Sequence, residues 1–145
     1  MEIPFSTFNK MHDEVKEELQ IAFNKVLDKG WFIQGQECEF FERDFANFCG
    51  AKYCVGCGNG LDALYLILKA LDIKQGDEVI VPSNTFIATA LAVSYVGAIP
   101  VFAEPELWNY NLNPNLIEKK ITGRTKAIIA VHLYGQAAKM DEICT

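Results

Sequence analysis

The stretch 53-YCVGCGNGLDALYLILKAL-71 carries two chemical suggestions, and choosing between them decides the fold. Cys54 and Cys57 form a C-x-x-C pair, the pattern of redox or metal chemistry. Gly56, Gly58 and Gly60 instead form a glycine-rich turn ahead of a helix that apolar spacing predicts from Leu61 to Leu71. A structural zinc site needs four ligands, usually two such pairs or one pair plus histidines; here His12 and His132 are far away in sequence. A thioredoxin-like pair would put its first cysteine at the start of a helix, whereas these two straddle the end of a short strand expected at residues 53–55. Both thiols therefore read as small buried apolar side chains, and no metal is expected.

The glycines have a stronger physical case. A helix N-terminus presents unpaired N–H groups and the positive end of the macrodipole, so a strand, a glycine-rich turn and a helix together can hold an anion. Gly58, Asn59 and Gly60 permit close approach, although G-x-G-x-G is neither the dinucleotide fingerprint nor a P-loop. Asp62, in the first helical turn, competes with an anion for the same dipole. On the residues alone, a phosphate cradle and a plain tight turn both remain open.

Working outward, helices and strands alternate. Met11, Val15, Leu19, Ala22, Phe23, Val26 and Leu27 recur at helical spacing and are closed by Lys29-Gly30. Phe40, Phe41, Phe45 and Phe48 form a helical stripe within 37–48 that reads as core-facing. Strands are expected at 78-EVIVP-82, 100-PVFAE-104 and 126-KAIIAVHL-133, with helices at 85–95 and 114–121. Strands separated by helices of this kind predict an α/β fold with a mainly parallel sheet covered by helices in three layers. No composition shift marks an internal boundary, so residues 1–145 read as one piece, and the helix beginning at Asp141, Glu142 and Ile143 suggests a chain cut short.

Composition bounds the function. The 145 residues are 50% apolar and 22% charged, enough for one sizeable core and against disorder. A net charge of −6, from 13 basic and 19 acidic side chains, has the wrong sign for a phosphate-backbone binder, so nucleic acid is not an expected partner. The opening MEIPFSTFNK lacks a signal-peptide pattern and no apolar run nears the roughly 18 residues of a membrane span, so a cytoplasmic protein is expected. Five cysteines without framework spacing are expected to be reduced.

Read together, 3-IPFSTF-8, 30-GWFIQGQECEFFERDFANFCG-50, 56-GCGNGLDALYLILKAL-71, 76-GDEVIVPSNTFIATALAVSYVGAIPVFAEPE-106 and 125-TKAIIAVHLYGQ-136 resemble, in order and spacing, the DegT/DnrJ/StrS family of pyridoxal-phosphate-dependent nucleotide-sugar aminotransferases. The G-N-G-L-D-A-L, P-S-N-T-F-I-A-T and V-H-L-Y-G-Q variants look most like members that aminate position 3 of dTDP-3-keto-6-deoxyhexoses. The resemblance implies the N-terminal part of the large domain of a fold-type-I transferase. It implies pyridoxal 5'-phosphate as cofactor, glutamate as amino donor, a dTDP-linked keto-deoxysugar as acceptor, and a homodimer. It puts Asn59, Gly60 and Leu61 against the cofactor phosphate, mostly through backbone N–H groups, and the ring of Phe86 on the pyridine face.

Trp31 and Phe32 could line a sugar pocket, that of their own or of a neighbouring subunit. His132 and Tyr134, at a strand end where a ligand crevice is expected, read either as an acid–base pair or as a satisfied strand-end histidine beside an idle tyrosine. The family's Schiff-base lysine belongs to later segments; Lys126 and Lys139 lie in the wrong places to substitute, so the 145 residues alone are expected to be inactive. Two alternatives stand beside transamination at position 3. One keeps the fold and cofactor but aminates position 4 or dehydrates the sugar; the other is a non-catalytic truncated module.

Overall fold

The computed structural model describes residues 3–4 and 6–145; Phe5, inside the 3-IPFSTF-8 stretch, lies outside them. Backbone contacts gather into two compact units, Met1–Gly56 and Cys57–Thr145. The first holds α1 (Asn9–Lys29) and α2 (Gln36–Cys49). Gly30 and Gly50 end these helices in the left-handed conformation, at φ of 64° and 65°, each returning its N–H to carbonyls of the last turn. Glu37 ties the pair together by accepting from Lys25 at 3.2 Å and Lys29 at 2.9 Å. The phenylalanine stripe of α2 does not reach a core. Phe41, Phe45 and Phe48 stay exposed and stack on one another at 5.4 and 6.3 Å, because no described element of that unit lies across them.

The second unit carries α3 (Gly60–Ala70), β1 (Glu78–Pro82), α4 (Ala88–Tyr95), β2 (Ile99–Ala103), β3 (Thr125–Ile128) and the short α5 (Met140–Ile143). The strands form one parallel sheet in the order β2-β1-β3. All five residues of β1 are buried, and its alternation splits the core across two faces. Val79 and Val81 pack with Leu68 of α3 and with Ala92 and Val93 of α4. Ile80 points the other way, towards Ala103, Leu112 and Ile117, with Ile143 of α5 against them. Each fully buried aliphatic side chain contributes about 1.5–3 kcal/mol, so the sheet and its two coverings stand on β1.

Three expected elements differ. Residues 53–55 form no strand: Tyr53 and Val55 are exposed, and the N–H of Gly56 goes to the Glu42 carboxylate at 2.7 Å instead of to a ladder. The expected helix over 114–121 is two 3-10 turns, Pro114–Leu116 and Glu118–Lys120, broken at Ile117. The last strand stops at Ile128, five residues short. Its final ladder bond is Ile129 N–H to the Ile80 carbonyl at 2.9 Å, after which the N–H of Leu133 turns to the side chain of Asn111. The cysteines also depart from a buried reading: all five are free thiols, Cys54 half-buried and the other four exposed.

At the N-terminal edge of the sheet Glu78 is 4% exposed and still charged. The Thr122 hydroxyl donates to its carboxylate at 2.6 Å, the Arg124 guanidinium donates to the other oxygen, and together they hold the carboxyl below the usual glutamate range. A depressed folded-state pKa contributes stability that is present above the unfolded value and is lost as pH falls through the folded one. Thermal unfolding between about pH 7 and pH 3 should therefore show a steeper loss on acidification for the wild type than for Glu78→Gln, which starts lower but has no charge to lose. Parallel curves would remove Glu78 from the acid response.

Candidate functional site

The start of α3 is built by its own sequence. Asn59 is the N-cap, in an extended conformation, and its side-chain oxygen accepts the N–H of Asp62 at 2.9 Å while its carbonyl accepts that of Ala63. Its amide nitrogen donates back to the Asp62 carboxylate at 2.9 Å. The Asn59 side chain is thus spent on the cap and on Asp62, leaving any anion to the backbone. The N–H groups of Gly60 and Leu61 find no acceptor among the described residues. A Cβ built on Gly60 would meet nothing within 4 Å, so there is open space beside this helix start. Gly58 is tighter, its Cβ position lying 3.1 Å from the Asp62 carboxylate. Two free N–H groups at the positive end of an eleven-residue helix fit an anion such as a phosphate, and the Asp62 carboxylate, held by Asn59, shares that helix start.

Topology sets where this helix start lies. Residues 71–77 join the end of α3 to the beginning of β1, and residues 83–87 join the end of β1 to α4. Gly97, just after α4, lies with its Cβ position 3.5 Å from Gln75, so both helices end at the N-terminal edge of the sheet and both begin at its carboxyl edge, the edge that takes ligands in open α/β sheets. Phe86 sits in that second connection and is 81% exposed. Its carbonyl accepts the N–H of Thr89, and the Thr85 hydroxyl donates to that of Thr89 at 3.2 Å, which closes the loop into α4. The fold therefore brings Asn59, Gly60, Leu61 and Phe86 to one edge of one unit. Trp31 and Phe32 belong to the first unit, in the turn between α1 and α2; both are exposed, and the Trp31 indole N–H donates to the Ile33 carbonyl at 2.7 Å.

At His132, Nδ1 accepts the N–H of Ala138 at 3.0 Å. Tyr134 is exposed, has a left-handed φ of 54°, and meets Tyr110 edge-on at 6.3 Å. Lys126 stands near the start of β3, at the edge opposite the helix starts. Lys139 is bound to the Glu106 carboxylate at 2.8 Å and near that of Glu142 at 3.7 Å, and the bond to Glu106 raises its pKa, keeping it a cation when a nucleophile must be neutral. The residues missed at the sequence level are Asn84 and Asn111. Asn111, 2% exposed, accepts from Leu133 N–H and donates to the Gln136 and Ala137 carbonyls, and Asn84 donates to the Tyr110 carbonyl at 3.0 Å. The signal available for them was the turn-forming asparagines of 109-NYN-111 and 82-PSN-84.

A parallel sheet covered on both faces, with two free backbone N–H groups at its carboxyl edge, is an α/β fold with a candidate anion site. The DegT/DnrJ/EryC1/StrS aminotransferase family matches residues 13–145, and the chain belongs to that family. The dTDP-3-amino-3,6-dideoxy-alpha-D-galactopyranose transaminase of Aneurinibacillus thermoaerophilus is 56% identical over 141 residues, 97% of this chain and 39% of that protein. The crystal structure of Streptomyces venezuelae DesV matches with a TM-score of 0.92 at 46% identity, covering 98% of this chain and 38% of that one. Bacillus subtilis NtdA, solved with its bound cofactor PMP, matches with a TM-score of 0.89 at 35% identity over 98% of this chain and 33% of that one. The chain spans about two fifths of the length of the first two and a third of the last.

Proposed function

We propose that the protein carrying these residues is a pyridoxal-phosphate-dependent aminotransferase that moves an amino group from glutamate to position 3 of a dTDP-linked 3-keto-6-deoxyhexose, as a cytoplasmic homodimer. Residues 1–145 are the N-terminal part of its large domain. The observation that carries the reading is the pair of free N–H groups on Gly60 and Leu61 at the start of α3, with Phe86 on the same sheet edge. The relative from Aneurinibacillus thermoaerophilus, named for a 3-amino sugar, supports the choice of carbon.

Pyridoxal phosphate, when bound, supplies the carbonyl that accepts the amino group and the electron sink that lets a proton leave the neighbouring carbon. This chain's residues do the holding. Gly60 and Leu61 donate to the phosphate, the dipole of α3 favours its charge, and Phe86 fixes the ring plane without competing for protons. Trp31 and Phe32 are assigned, within this reading, to the sugar pocket. The covalent lysine is none of those here, so the 145 residues alone transfer no amino group.

The test is the full-length protein with glutamate and dTDP-3-keto-6-deoxyglucose or its galacto epimer. Amination of either at position 3 is expected. Amination only of a 4-keto sugar would refute the position and leave the family reading, and dehydration without amination would refute the transfer itself.

A further inference from the structure

We propose that Asn84 is a positioning residue for the Phe86 ring: its carboxamide clamps the loop after β1 to the loop after β2 and so sets the plane against which the cofactor lies. The proposal rests on the reading of Phe86 as the stacking ring.

The loop after β1 is pinned on both sides of Phe86. Before it, the N–H of Ser83 donates to the Ala103 carbonyl at 3.0 Å and the Ser83 hydroxyl to the Glu104 carboxylate at 3.0 Å. Across it, the Thr85 hydroxyl donates to that of Thr89, and the Thr89 N–H donates to the Phe86 carbonyl, closing the chain into α4. Between these anchors the bond from Asn84 Nδ2 to the Tyr110 carbonyl, at 3.0 Å and across 26 residues of sequence, ties the loop to its neighbour.

The acceptor is itself held rigidly. Tyr110 has a left-handed φ of 61°, an unusual conformation for a bulky residue that persists only where its surroundings impose it. Its N–H is bound to the Glu106 carbonyl at 2.9 Å, and the next residue, Asn111, is buried with its N–H on the Asn109 side chain and its carbonyl on the N–H of Glu106. A carbonyl whose flanking backbone groups are bonded in this way is a fixed point. Asn84 itself is exposed, so a long-range bond from this side chain is poorly explained by stability. It is well explained by orientation, because stacking depends on ring offset and angle, which a pivot of the 83–87 backbone would spoil.

The experiment compares Asn84→Ala, Asn84→Asp, Phe86→Ala and the double variant Asn84→Ala/Phe86→Ala in the full-length protein, reading cofactor dissociation constant, visible circular dichroism of the bound cofactor, and Tm. Asn84→Ala should raise the dissociation constant by roughly threefold to tenfold, the worth of one net hydrogen bond, and shrink the dichroic band at unchanged Tm. Asn84→Asp, of the same shape but with an acceptor facing an acceptor, should do so more strongly. Because the clamp acts through the ring, the double variant should be no weaker than Phe86→Ala alone. If Phe86→Ala retains cofactor normally, the stacking reading falls. If Phe86→Ala weakens binding but Asn84→Ala has wild-type affinity and dichroism, or the two effects simply add, or Asn84→Ala loses Tm in step with cofactor, the clamp is refuted.

Discussion

Gly60→Val in the full-length protein is expected to weaken cofactor binding by at least about a hundredfold without unfolding the protein. Each charge-assisted bond from a backbone N–H to phosphate is worth about 1.5–3 kcal/mol, and about 1.4 kcal/mol is tenfold in affinity, so losing the pair at Gly60 and Leu61 costs on the order of a hundredfold to ten-thousandfold. Valine puts a β-branched side chain beside those donors, where the phosphate must approach. The same substitution is benign to the chain itself: Gly60 is not in the left-handed region and its Cβ would meet no atom within 4 Å. Equilibrium dialysis of the cofactor, beside far-ultraviolet circular dichroism and Tm of the apo form, separates the two effects. Wild-type affinity in a folded Gly60→Val protein would show that the phosphate is held elsewhere. Gly58→Val is a poorer probe, since its Cβ position already lies 3.1 Å from Asp62 and a loss there would confound packing with binding.

What could be read in the sequence was what local chemistry determines. The β-branched run Glu78–Pro82 became the buried central strand, and the turn ahead of Leu61 became a helix start with free donors, because pleat periodicity and glycine act within a few residues. The reading broke where the outcome depends on something distant. Residues 53–55 have strand composition, but among the described strands none pairs with them, so Val55 stays exposed and Glu42 takes the backbone instead. The stripe of Phe41, Phe45 and Phe48 has the spacing of a buried face, yet burial needs a second surface, which no described element of that unit provides. In 126-KAIIAVHL-133 the apolar pattern continues past Ile128, but a side chain more than twenty residues earlier redirects the backbone. That side chain, Asn111, is of a type that reads as loop wherever it stands.

Asn111→Ala should accordingly be the most damaging polar substitution in the second unit. It removes the acceptor of the Leu133 N–H at 2.9 Å and the donor to the Gln136 and Ala137 carbonyls at 3.1 and 3.2 Å. A partner left unsatisfied in a buried setting costs about 1–3 kcal/mol, and the half-exposed turn lets water recover part of it, which gives about 2–4 kcal/mol in all, a large fraction of a typical stability of about 5–15 kcal/mol. Asn111→Asp tells the donor from the acceptor. It keeps an oxygen for Leu133 but turns a second one, charged and 2% exposed, against two carbonyls, so it should be no milder than alanine at neutral pH and should recover in acid as the carboxyl takes up a proton. Urea unfolding gives the stability change, and hydrogen exchange at the Leu133 amide shows whether the 132–138 turn has come loose, with an opening roughly a hundredfold more frequent for each 2.8 kcal/mol lost. A wild-type urea midpoint with an unchanged Leu133 exchange rate would show that the turn, and the left-handed Tyr134 within it, are held without Asn111.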